Sequence, residues 1–182
     1  TLVRELNFEK KFLFRSAASF ISSISEIEKN SKDNNYYSQL RRKNHAKEFM
    51  KGLIVFGSYV DISTVQLENL LQISSCKGIE IQVNEFNKIH KLSDNNNELL
   101  NFKNKLLKEI RGIIKENLTP VLYTSRDVIN FKRTDDEFQF NEKLSLFIAE
   151  LISELKYEIG YLVSKGGITS NSILTDGFNV KY

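Results

Sequence analysis

The sequence predicts an α/β fold in three layers, α/β/α, around a largely parallel sheet. Three observations carry that prediction. Short apolar runs recur at residues 53–56, 121–124 and 161–163 and read as strands, the first as a buried one. Apolar stripes at helical spacing lie between them. Each run also ends in small or polar residues, Gly57-Ser58, Ser125-Arg126 and Gly166-Gly167. Parallel strands need crossover connections, and the helical stripes supply them.

The elements follow in order. Residues 9–21, "EKKFLFRSAASFI", read as a strand entering a small-residue turn. Residues 26–47 are polar and rich in Asn and Lys, which suits an exposed linker. The basic cluster Arg41, Arg42, Lys43 and Lys47 fits a solvated face, with phosphate contact as the alternative. Leu53-Ile54-Val55-Phe56 is the first buried strand. Ser63 stands three residues before Gln66, a capping-box spacing, and Leu67, Leu70 and Leu71 give the following helix its apolar face. Ile79, Ile81 and Val83 suggest a second strand. Leu99, Leu106, Leu107, Ile110, Ile113 and Ile114 mark a long helix over about residues 94–117. Pro120 marks a restart, and Val121-Leu122-Tyr123-Thr124 is the third strand. Leu144, Phe147, Ile148, Leu151, Ile152 and Leu155 form the last long stripe, with Gly160 placed to end it at C′. Tyr161-Leu162-Val163 is the fourth strand.

Composition bounds the function. The 182 residues are 41% hydrophobic and 27% charged, ordinary for a soluble globular domain. A net charge of +3 is too small to argue for nucleic acid or an anionic membrane. No apolar run approaches the roughly 20 residues that span a bilayer. The N-terminus has no signal-peptide layout, and it lacks an initiator Met, so a processed chain or a piece of a longer one is expected. The one cysteine, Cys76, permits neither an intrachain disulfide nor a multi-cysteine metal site and fits a reducing cytoplasm. His45 and His90 lie outside any ligand spacing and read as surface residues.

In open α/β sheets, ligands bind at the carboxyl ends of the strands. Gly57-Ser58, Ser125-Arg126 and Gly166-Gly167 all fall there. In the stretch Gly166-Gly167-Ile168-Thr169-Ser170, the absence of Cβ atoms lets an anionic group approach the peptide N–H donors. A helix starting near Ser170 or Asn171 would aim its first N–H groups at the same space, and Thr169 and Ser170 add hydroxyls. A plain tight turn is the competing reading. Lys165 could offset phosphate charge or edge a strand, and Arg126 could pair with a phosphate or with Asp127. The chain has neither a Walker loop nor a Gly-x-Gly-x-x-Gly fingerprint.

Four segments, in order, are similar to the four-carbon acid sugar kinase family, whose members use ATP to phosphorylate acids such as threonate, erythronate or 3-oxo-tetronate. They are "FLFRSAASF" (12–20), "GLIVFGSYVDISTVQLENLL" (52–71), "VLYTSRD" (121–127) and "SKGGITSNSILTDGFNVK" (164–181). The resemblance implies a sugar-domain tail at 1–25, a linker at 26–50 and a nucleotide-binding domain at 51–182. It implies ATP contacts at Ser58, Gly166, Gly167, Ile168 and Thr169, with Mg²⁺ bridging the phosphates and a small sugar acid as the partner. Many relatives carry an acidic residue in place of Ile168 and Asp near the position of Ser172. The family's N-terminal Asp-Asp motif and late glycine-rich loop are not found. The fold is therefore expected to be incomplete at both ends, the chain inactive by itself, and the catalytic base to lie elsewhere. Neither nucleic acid nor membrane is an expected partner, and a homo-oligomer stays open. A non-catalytic domain that binds a nucleotide or another phosphorylated ligand is the alternative function.

Overall fold

Alternation of apolar residues along the strands sets the layers of the computed structural model, which describes residues 33–57, 61–91, 96–127, 129–131 and 133–181. The chain divides into two units, 1–39 and 40–182. In the first, helix α1 (Asn34–Gln39) begins where the Asp33 carboxylate accepts the Tyr36 N–H at 2.9 Å, an N-cap bond. The strand expected at 9–21 lies outside the described residues.

The second unit holds a sheet of four strands, all parallel: β1 (Leu53–Phe56), β2 (Cys76–Ile81), β3 (Thr119–Thr124) and β4 (Leu162–Lys165), in the order β2-β3-β1-β4. Phe56 and Val121 point to one face, where Leu67 of helix α2 (Asp61–Leu71) covers them. Leu53, Val55, Ile79, Ile81 and Leu122 point to the other. There they meet α3 (Val83–Lys91), α4 (Asn96–Lys115) and α5 (Thr134–Ser153). The three layers are those the periodicity predicts. Among the described residues no helix is long and apolar enough to cross a membrane.

Pro120 lies inside β3 rather than before it. Thr119 and Ser125 donate their N–H groups toward β2, to Ser75 and Ile81. By alternation the nitrogen of Pro120 faces the β1 side, one residue before β1–β3 pairing starts at Ile54 and Val121. The missing donor therefore breaks no ladder bond.

Other expectations are corrected. Val83 opens a helix instead of closing β2, so α3 is an element the sequence reading missed. Helix α2 starts at Asp61, which leaves Ser63 buried in its first turn and not at its cap. A Ser and a Gln three residues apart also fit inside a helix, so that spacing alone does not locate the start. Helix α4 stops at Lys115 through a Schellman motif: Asn117, at φ 61°, donates to Ile114, and Leu118 donates to Ile113. Gly160 does not cap α5, which ends at Ser153. It is a point of close approach, because a Cβ there would lie 2.9 Å from the Met50 carbonyl carbon.

That approach concerns the basic cluster too. Residues 40–50 belong to the sheet's unit. Arg41 donates to the Met50 carbonyl and lies over the Phe49 and Tyr161 rings, while Arg42 donates to the carbonyl of Lys156. Both guanidinium groups thus fasten backbone to backbone.

Helix α4 is clipped to the turn after α5 by Lys103–Glu154 and by a two-pronged Arg111–Glu158 pair at 2.7–3.2 Å. The Arg111 hydrogen bonds hold the Glu158 carboxyl below its usual value, against its partial burial. A depressed folded value means the stabilisation is full above the ordinary glutamate range and fades as pH falls through the folded value. With both side chains about 40% exposed, it amounts to about 1 kcal/mol or less. Glu158→Gln is expected to lower the urea midpoint slightly at pH 7, and the gap from the unsubstituted chain should shrink as pH falls below the ordinary glutamate range. A difference that persisted in acid would show that the pair is not its source.

Candidate functional site

Sheet order decides where a ligand can lie. Strands β1 and β3 are neighbours, yet β1 leads to α2 on one face and β3 leads to α5 on the other. Their diverging connections open a crevice at the carboxyl ends, the switch point of a doubly wound sheet. A cavity of about 200 Å³ occupies it. Gly57 after β1, Thr124 to Asp127 at the end of β3, and Ile168 and Thr169 after β4 all line it, so topology gathers the three separate strand ends.

Gly57 donates its N–H to the Lys165 carbonyl at 3.0 Å, which prolongs the β1–β4 pairing. The chain then turns at Gly166, whose φ of 114° is one that a side chain rarely adopts. Helix α6 (Gly167–Ser172) follows at once and runs into a π-helical turn, Ile173–Gly177. The helix thus begins three residues before the expected Ser170. Ser170 donates to the Gly166 carbonyl at 2.9 Å, so Gly167, Ile168 and Thr169 form the first turn and their N–H groups have no acceptor within the helix. Gly167 faces open space and Ile168 is 62% exposed.

The two hydroxyls turn back into the fold. Thr169 is buried against Gly57, and the Ser170 hydroxyl bonds that of Ser164 at 2.8 Å. Lys165 reaches Gln66 on α2 with its ammonium, on the face opposite α5. Ser58 lies outside the described residues.

Ser125 is a fastener: its hydroxyl accepts the first N–H of α3, from Val83, at 3.1 Å. Arg126 is half-buried, and burial lowers its guanidinium from the usual value against the pull of Tyr123, Glu80 and Glu68. It remains a cation at any working pH. Asp127 accepts from Asn84 at 3.1 Å.

Helix α5 supplies a wall that the sequence reading missed. Glu137, Asn141 and Ser145 recur every four residues beside the apolar stripe of Phe140, Leu144 and Ile148, and all six line the cavity. A polar row at that spacing along an apolar stripe was the available signal. The crevice therefore combines an apolar wall, two residues of the first turn of α6, Ile168 and Thr169, one arginine and two carboxylates, Asp127 and Glu137. Mg²⁺ is commonly held by one or two carboxylates with phosphate oxygens, so this donor set fits such an ion. Among the described residues no three His, Cys, Asp or Glu side chains are placed to hold a metal by themselves.

Residues 53–182 match a family model described as the nucleotide-binding C-terminal domain. Nothing among curated proteins or solved structures matches the chain. The switch-point crevice and the extent of this match lead to one assignment: the chain belongs to the four-carbon acid sugar kinase family, and residues 53–182 are its nucleotide-binding domain.

Proposed function

We propose that the crevice between β1 and β3 binds ATP and that the domain is the nucleotide half of a kinase. The substrate would be a hydroxyl of a four-carbon sugar acid of the threonate, erythronate or 3-oxo-tetronate type. The meeting of the β1, β3 and β4 ends at one switch point carries this reading. A cavity of about 200 Å³ suits a purine ring against Leu144 and Ile148, with the triphosphate outside it along the first turn of α6. Arg126 and the N–H groups of Gly167, Ile168 and Thr169 then face phosphate oxygens. Asp127 and Glu137 are the residues that would hold Mg²⁺, which supplies charge neutralisation when bound. The acceptor acid and the general base are assigned outside this domain.

Gly167→Asp tests the phosphate position. A Cβ added at Gly167 would meet nothing within 4 Å, so the fold should tolerate the change. A carboxylate in the first turn of a helix is even mildly stabilising. Beside a triphosphate it repels, and ATP affinity is expected to fall about tenfold or more. Unchanged affinity by calorimetry would remove the loop from the site. Turnover of a panel of four-carbon acids with ATP, by protein that contains this domain, supports the kinase. Binding without turnover supports a non-catalytic nucleotide domain.

A further inference from the structure

A second groove lies between the end of α3 and the start of α5, with a volume of about 480 Å³. His90 and Lys91 come from α3, Lys143 and Asp136 from α5, and Phe131 and Phe140 separate this space from the nucleotide crevice, which they also line. Three side-chain amides add further donors. We propose that this groove binds a small polyanion, a phosphorylated or polycarboxylate molecule, held by Lys91, Lys143 and His90.

Three observations carry the proposal. The groove has the size of a small-molecule site, where a few polar groups converge on an apolar floor. Its cations come from two helices and outnumber its one carboxylate, and none of Lys91, Lys143 and Asp136 is in an ion pair among the described residues. Lastly, His90 is held in place by stacking on Phe86, with ring centroids 6.0 Å apart and planes 13° from parallel. Partial burial, then the charge of Lys143, keep its pKa below the usual 6.5. The imidazole is thus neutral at pH 7, and an arriving anion would favour its protonated, doubly donating form. Such a ligand touches residues of α3 and α5 that the proposed nucleotide phosphates do not use.

The chain has only two histidines, and His45 lies on an exposed turn, so imidazole NMR reads the groove with an internal control. Pyrophosphate and citrate are titrated separately, at constant ionic strength and without nucleotide. For at least one of them, His90 should shift saturably with a Kd of about 1 mM or tighter, and its titration midpoint should rise while His45 stays put. A response to pyrophosphate alone assigns a phosphorylated ligand, and one to citrate alone a polycarboxylate. Lys143→Gln should raise the His90 midpoint without any anion and weaken binding at least tenfold. Gly167→Asp should leave the His90 response intact, which separates this groove from the nucleotide site. Non-saturating shifts shared by both histidines, or equal affinity in Lys143→Gln, would overturn the proposal.

Discussion

Gly57→Ala is expected to destabilise the domain by about 1–3 kcal/mol and to weaken nucleotide binding with it. A Cβ at this position would lie 2.6 Å from the Thr169 Cβ and 2.9 Å from its Cγ2, well inside van der Waals contact. Neither side can yield easily. Gly57 is tied to β4 through its bond to Lys165, and Thr169 is buried in the first turn of α6. Relief would come from pushing that turn outward, which moves the amides of Gly167 to Thr169 away from the crevice. A double-mutant cycle isolates the contact. In a Thr169→Gly background the clashing atoms are gone, so the same Gly57→Ala change should cost less than about 1 kcal/mol. Equal costs in the two backgrounds, measured by urea denaturation, would show that the nesting of Gly57 against Thr169 is not what requires glycine.

The second large effect lies in the core. Phe147 is 4% exposed, and its ring lies 5.1 Å from that of Phe86 on α3 and 5.7 Å from that of Phe102 on α4. It is the point where α3, α4 and α5 meet under the sheet. Phe147→Ala is expected to cost about 3–5 kcal/mol, a large share of the stability of a domain this size. Leu146, the preceding residue on α5, is 38% exposed, and its replacement by alanine should cost well under half as much. Similar midpoints for the two variants would mean that the aromatic cluster does not hold the helices together. Because Phe86 also touches Phe140, which lines the crevice between β1 and β3, loss of Phe147 should loosen that wall as well.

Periodicity made most of the elements legible. Residues 53–56 and 121–124 are strands because continuous apolar runs fit a sheet covered on both faces, whereas 162–163 lie in an edge strand, with Val163 49% exposed; α4 and α5 are helices because their stripes extend over many turns. Helix α3 escaped for a physical reason. Ile79, Ile81 and Val83 alternate like a strand, and a helix of nine residues, with only Val83 and Phe86 buried, is too short to break that pattern. Gly160 was misread because a glycine after an apolar stripe suits a helix end as well as it suits a close approach to Met50.

The sequence by itself therefore determined the layered α/β class, most of the elements and the fact that three small-residue junctions sit at strand ends. It also carried the family resemblance that residues 53–182 bear out. Only the tertiary structure decided which strands are neighbours. The order β2-β3-β1-β4 places β1 beside β3 and sends their helices to opposite faces, which opens the crevice. The same packing turned Thr169 and Ser170 inward, set Lys165 against α2 and brought Glu137, Asn141 and Ser145 to the wall. Local periodicity reports which side of an element is buried. It carries no information on what the buried side meets, because that depends on long-range pairing between segments about 65 residues apart in β1 and β3.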